Sequence, residues 1–122
     1  LDAAGIPSER VAIGGFELDA CLALDSAARH PRRYGALIGL SGGLIGPPGT
    51  VWPDAGSLAG TPVFLGCSDV DPHIPLARVH ETDQVLSARG AAVEPRIYPG
   101  FGHGINTDEI AAVKALLDGL AA

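Results

Sequence analysis

Methionine is absent from all 122 residues, position 1 included, so the sequence is expected to be a fragment, a processed chain or an engineered product. Aromatic residues are scarce at 5%, which leaves aliphatic and alanine side chains to build the core. Positive charge is also short: eight Lys and Arg stand against 14 Asp and Glu, a formal net charge of −6. That sign repels phosphate backbones, and no basic run is interleaved with aromatics, so no nucleic-acid partner is expected. Arg29, Arg32 and Arg33 form the only basic cluster and read as a solvated helix end. No apolar run approaches the ~20 residues that span a bilayer, and no signal peptide opens the chain. A membrane partner is therefore not expected, and the expected location is cytoplasmic. The only cysteines, Cys21 and Cys67, are read as free buried thiols of a reducing compartment.

What is present suffices for one domain over residues 1–122. Hydrophobic content is 47%, and a chain of this length buries roughly two-thirds of its unfolded surface. Four apolar runs predict strands: Val11–Phe16, Ala36–Leu40, Pro62–Gly66 and Val93–Tyr98. The first three are nearly continuous rather than alternating, as in parallel strands covered on both faces. Helical patterns lie between and after them. Leu18–His30 is alanine-rich and halts at Pro31. Leu76–Arg89 follows Pro75, read as a first-turn proline, and ends at Gly90. Its stripe is Leu76, Val79, Asp83 and Leu86, with Asp83 the odd member. A capping box, Asn106 to Glu109, opens a last helix with Ile110, Val113, Leu116, Leu117 and Leu120 on one face. The order β-α-β-loop-β-α-β-α predicts an α/β fold with a four-stranded parallel sheet and right-handed crossovers. The Gly- and Pro-rich stretch 42–60 predicts a long functional or mobile loop.

In α/β sheets, ligands bind at the carboxyl ends of the strands, and the polar residues gather there. The first strand ends in an elbow, Gly15-Phe16-Glu17-Leu18-Asp19. The third runs into "GCSDVDPHIP" and the fourth into "YPGFGHG". Elbow, Asp and His follow one another in the order of an α/β-hydrolase triad. The segments "GALIGLSGGL", "GTPVFLGCSDVDPHIPLARVHET" and "RIYPGFGHGINTDEI" resemble the C-terminal half of the phospholipase/carboxylesterase family, which includes the acyl-protein thioesterases. That resemblance covers nearly the whole chain and implies half of an α/β-hydrolase fold. It also implies that Asp71 is the triad acid and His103 the base, the acid holding the imidazole tautomer and the base taking the nucleophile's proton.

Two departures from that family stand out. Its elbow reads G-x-S-x-G, and here Glu17 and Asp19 replace the serine and the last glycine. The N-terminal half, with the loop supplying part of the oxyanion hole, has no counterpart. A second G-x-S-x-G, at Gly39–Gly43, lacks the helix that must follow its serine, so Ser41 reads as a strand-end turn. The acids at the elbow admit three readings. They stabilise a helix N-terminus; or Glu17 is a carboxylate nucleophile or general base beside His103; or Glu17, Asp19, Asp71 and His103 bind a metal. No two of those four share an i, i+4 spacing, so no metal and no cofactor is expected. His73 and His80 read as surface residues, Ser68 and Asp69 as shapers of the turn after the third strand. Asp25 and Ser26 read as resurfacing of a helix that lost its neighbours.

The expected function is thus a carboxylesterase-derived half-domain not competent for ester hydrolysis, engineered or minimal in origin. The alternatives are an active hydrolase or lyase using Glu17 and His103, and a non-catalytic module binding a small ligand. The strand Val11–Phe16 is expected at a sheet edge, apolar and without charge, where it favours an edge-to-edge homodimer. Asp19 and Asp25 of one copy would then face Arg29, Arg32 or Arg33 of the other.

Overall fold

The computed structural model describes residues 10–45, 56–101 and 104–121. Four parallel strands pair in chain order: β1 (Ala12–Phe16), β2 (Ala36–Leu40), β3 (Pro62–Ser68) and β4 (Ala92–Tyr98). Helices α1 (Leu18–Arg29) and α2 (Leu76–Ala88) connect β1 to β2 and β3 to β4, and α3 (Thr107–Ala121) follows β4. The expected α/β class and element order hold, with boundaries shifted by one or two residues. Of the expected loop 42–60, the described ends are irregular, and 46–55 lie outside the described residues. No helix among the described residues is long and apolar enough to cross a membrane.

The continuous apolar runs have the cause inferred from sequence: both faces of the central strands are covered. Leu37, Val63 and Leu65 point to α1 and α2, where Leu24, Ala27, Ala28 and Leu86 complete the larger core. Ile38, Leu40 and Phe64 point the other way, against Ala112, Val113 and Leu116 of α3. Alanines let α1 lie close to the sheet. Asp25 interrupts them for a specific reason rather than as resurfacing. Its carboxylate pairs with Arg29 at 2.7 Å and accepts the Ile45 backbone N–H at 3.2 Å, tying the loop after β2 to the helix.

In α2 the residue buried beside Val79 and Leu86 is Thr82, not Asp83. The Thr82 hydroxyl donates to the Arg78 carbonyl and accepts the Leu44 N–H, so a polar residue satisfies itself inside the core. Pro75 stands one position earlier than expected, at the N-cap. Gly90, at φ +86°, closes α2: its own N–H meets the Ser87 carbonyl, and the Ala91 N–H reaches back to Leu86. The capping box of α3 forms in both directions, Glu109 N–H to Asn106 Oδ1 and Asn106 N–H to Glu109 Oε1.

The two sheet edges differ. On β4, Arg96 pairs with Glu94 at 2.6 Å and with Asp108 at 2.9 Å, and lies over the Phe64 ring. The Tyr98 hydroxyl donates to Asp108 at 2.6 Å. That bond, with Arg96, holds the Asp108 carboxyl below its usual range, while burial and Asp108 raise the Tyr98 phenol. Pro95 sits within the same strand and offers no N–H. By contrast β1 contains neither charge nor proline, and among the described residues it pairs only with β2.

Candidate functional site

The elbow between β1 and α1 is built on a close approach. A Cβ on Gly15 would stand 2.6 Å from Asp19 Cβ and 2.8 Å from the Asp19 carbonyl carbon. Only glycine lets the strand enter the helix so abruptly. Glu17 at the tip has φ 57° and ψ −121°, a conformation that side chains rarely adopt. Two bonds hold it there: its N–H donates to the Leu40 carbonyl at 3.1 Å, and its carbonyl accepts the Cys21 N–H at 3.1 Å. The Glu17 side chain makes no capping hydrogen bond to α1. Its carboxylate therefore does not act as the cap expected from its place, although Asp19 does lie in the acidic first turn.

The carboxyl ends of the strands are stitched together in the same way along the sheet. Beyond Glu17 N–H to Leu40, Ser41 N–H donates to Gly66 and Asp69 N–H to Tyr98. These bonds extend the parallel ladder into the loops and line up Glu17, Ser41 and Asp69 along one rim. Asp71, nearly buried, accepts the His73 N–H at 2.8 Å and the Ile74 N–H at 3.2 Å through one carboxylate oxygen, which fixes the loop before α2. As expected, Ser68 shapes the turn, accepting the Val70 N–H. Asp69 does more, taking the Gly100 N–H at 2.8 Å and so joining the β3 loop to the β4 loop.

His103 lies outside the described residues, but both stems of its loop are placed. Gly100 is held by Asp69, and the Gly104 carbonyl accepts the Ser41 hydroxyl at 3.4 Å. Ser41 has φ 53°, is 1% exposed and is followed by no helix, so it serves as a strand-end turn and loop anchor. This anchoring was not legible in sequence, because the partner is a backbone carbonyl 63 residues away. Glu109 is a second missed feature. It is 1% exposed, its Oε2 has no hydrogen-bond partner, and it occupies the space where a side chain on Gly66 would fall. Burial pushes its carboxyl above the usual range, against the Asn106 N–H bond that works to lower it.

Of the thiols, both free, Cys67 is buried and Cys21 only partly so. Burial, with the negative charges of Asp71 and Glu109, pushes the Cys67 thiol up to about 11, which leaves it without thiolate at neutral pH. Cys21 instead lines a cavity of about 250 Å³ together with Glu17, Leu18, His73 and Ile74. His73 and His80 are exposed, as expected, and His73 borders this cavity. Among the described residues no three His, Cys, Asp or Glu side chains are arranged to hold a metal. The sheet rim thus brings Glu17, Ser41, Asp69 and Asp71 along one edge, with a carboxylate-bearing residue at its strained tip.

Comparison with known proteins agrees with this frame. The acyl-protein thioesterase 1 of Eremothecium gossypii is 32% identical over 125 residues, covering 95% of this chain and 52% of that protein. Its counterpart in Saccharomyces cerevisiae is 32% identical over 109 residues, covering 87% and 48%. The chain spans about half the length of these curated relatives. The crystal structure of a phospholipase/carboxylesterase from Dyadobacter fermentans superposes with a TM-score of 0.88 at 37% identity, over 99% of this chain and 56% of that one. Residues 2–120 match the Phospholipase/Carboxylesterase family, and with half of an α/β-hydrolase sheet in place around the elbow, the chain belongs to that family.

Proposed function

We propose that this chain is a half-length carboxylesterase fold that keeps the backbone frame of the active-site rim and does not hydrolyse esters. The observation that carries the reading is the strained tip of the elbow: Glu17, at φ 57° and ψ −121°, bears no hydroxyl, and this reading takes it as the residue in the nucleophile's place. A serine there gives its proton to a base and forms a stable acyl ester. A carboxylate is a weak nucleophile that a base cannot activate by taking a proton. Its attack on an alkyl ester would form a mixed anhydride and expel a far more basic alkoxide, so the step reverses. Asp71 and His103 would then be a triad remnant, acid and base without a nucleophile to activate.

The test is hydrolysis of p-nitrophenyl acetate by the purified chain and by His103→Ala. Equal rates are expected. A turnover that His103→Ala abolishes overturns the reading and makes Glu17 and His103 an acting pair. Glu17→Ser alone is expected to restore little, because Asp19 still crowds Gly15 and a complete oxyanion hole needs a second donor. A second reading, a module binding a small ligand, is favoured by the cavity of about 250 Å³ between Glu17 and His73. Its size, below the ~300 Å³ at which ordinary ligand pockets begin, suits only a fragment such as a short carboxylic acid or amide.

A further inference from the structure

Helix α3 sends one side chain fully into the sheet, and it is a carboxyl. Among the described residues of α3, Glu109 alone is buried, while Ala112, Val113 and Leu116 are partly buried against Ile38, Leu40 and Phe64. Glu109 ends under β3, where the missing side chain of Gly66 leaves room: a Cβ there would stand 3.0 Å from the carboxyl carbon. Its Oε1 accepts the Asn106 N–H, and its Oε2 is buried with no hydrogen-bond partner.

The charged neighbours do not balance an ionised Glu109. On α3 itself Asp108 is negative, and Lys114 pairs with Asp118 at 3.2 Å in solvent. From β4 come the Tyr98 phenol, which donates to Asp108, and Arg96, whose guanidinium is shared by Glu94 and Asp108. From β3 comes the Cys67 thiol, itself raised, with Asp71 beyond it. The run Ala36–Leu40 of β2 has no titratable side chain. Burial raises the Glu109 carboxyl, the Asn106 N–H opposes the rise, and Asp108 adds to it.

We propose that Glu109 is a proton-operated latch: with its proton the first turn of α3 stays seated under Gly66, and without it that turn unwinds and carries the carboxylate into water. Opening of this turn is the least costly answer to a buried charge, because the opening is bounded on both sides. Before it, the Ser41 hydroxyl holds the Gly104 carbonyl at 3.4 Å. After it, the apolar contacts begin at Ala112 and keep the rest of α3 on the sheet. Between these points Ile105 and Ile110 are already exposed, so unwinding uncovers little apolar surface. The sign follows from linkage. The opening equilibrium grows with pH above the ordinary glutamate pKa of about 4.3 and levels off once the native carboxyl has titrated.

The experiment is amide hydrogen exchange of the full chain from pH 4.5 to 8, corrected for the intrinsic pH dependence of exchange, beside a carbon-13 NMR titration of the Glu109 carboxyl. Opening at amides 109–113 should grow about tenfold over that range relative to Val79–Leu86 of α2, as linkage requires of a raised carboxyl. The growth should stop at the pH where Glu109 titrates. Glu109→Gln should flatten the profile, and His103→Ala, which removes the imidazole that also titrates in this range, should leave it in place. The two measurements on the unaltered chain stand whether or not Glu109→Gln folds. Titration of Glu109 in the ordinary carboxylate range, opening that ignores pH, a Glu109→Gln profile parallel to wild type, or loss of the response in His103→Ala each overturns the proposal.

Discussion

At the scale of single residues, Glu109 and Glu17 are both carboxylates in places that tolerate them poorly. Glu109 is buried with one oxygen unpaired, and its carboxyl is raised. The native state then holds its proton more tightly than the unfolded chain does. Its contribution to stability is complete below the ordinary glutamate pKa of about 4.3 and is lost as pH rises through the raised native value. Glu109→Gln removes the titration and keeps an oxygen for the Asn106 N–H. Its melting temperature should therefore gain on wild type as pH goes from 5 to 7.5, and parallel curves would refute the assignment. The capping box that contains Glu109 was legible from four residues of sequence. Its burial under Gly66 was not, because β3 and α3 are far apart in the chain. Glu17 shows the reverse. Its unusual place was evident from the glycines before it, but the capping reading fails, since the strained tip makes no side-chain cap bond and meets α1 through its backbone carbonyl, which accepts the Cys21 N–H.

Elements were legible where local chemistry and tertiary cover agree. All four strands and three helices were expected, since continuous aliphatic runs, Pro31, Gly90 and Asn106 each mark a boundary by a local rule. The misreading in α2 came from a polar core residue: Thr82 fills an inward position by satisfying its own hydroxyl, which a count of apolar residues misses. Glycines give two opposed tests of how closely elements meet. At Gly15 a methyl group would collide with backbone and side chain of α1, so Gly15→Ala should destabilise the fold by about 1–3 kcal/mol. At Gly119, in α3, a methyl group would meet nothing within 4 Å. Gly119→Ala should stabilise by about 0.5–1 kcal/mol through helix propensity alone. Denaturant titrations of the two variants give both signs, and loss of the contrast would mean that the elbow relaxes around the added methyl.

Across the whole molecule, charge rather than a closed apolar surface holds copies apart. The sequence isoelectric point is 4.9, and Leu18, Leu22, Ile110 and Leu117 remain exposed around β1. Repulsion from a net charge of −6 separates copies at neutral pH. Static light scattering should accordingly show mass growth as pH falls from 8 toward 4.9, and a flat profile would mean that these side chains do not attract one another. The unequal sheet edges also limit what any such growth becomes. At β4, Pro95 and the charges of Glu94 and Arg96 refuse an incoming strand. A ribbon that lengthens by adding copy after copy needs two receptive sides, and this molecule has one. A second copy that joins at β1 turns its own β4 side outward, so ordered stacking of copies ends at a pair and has no route to a fibre.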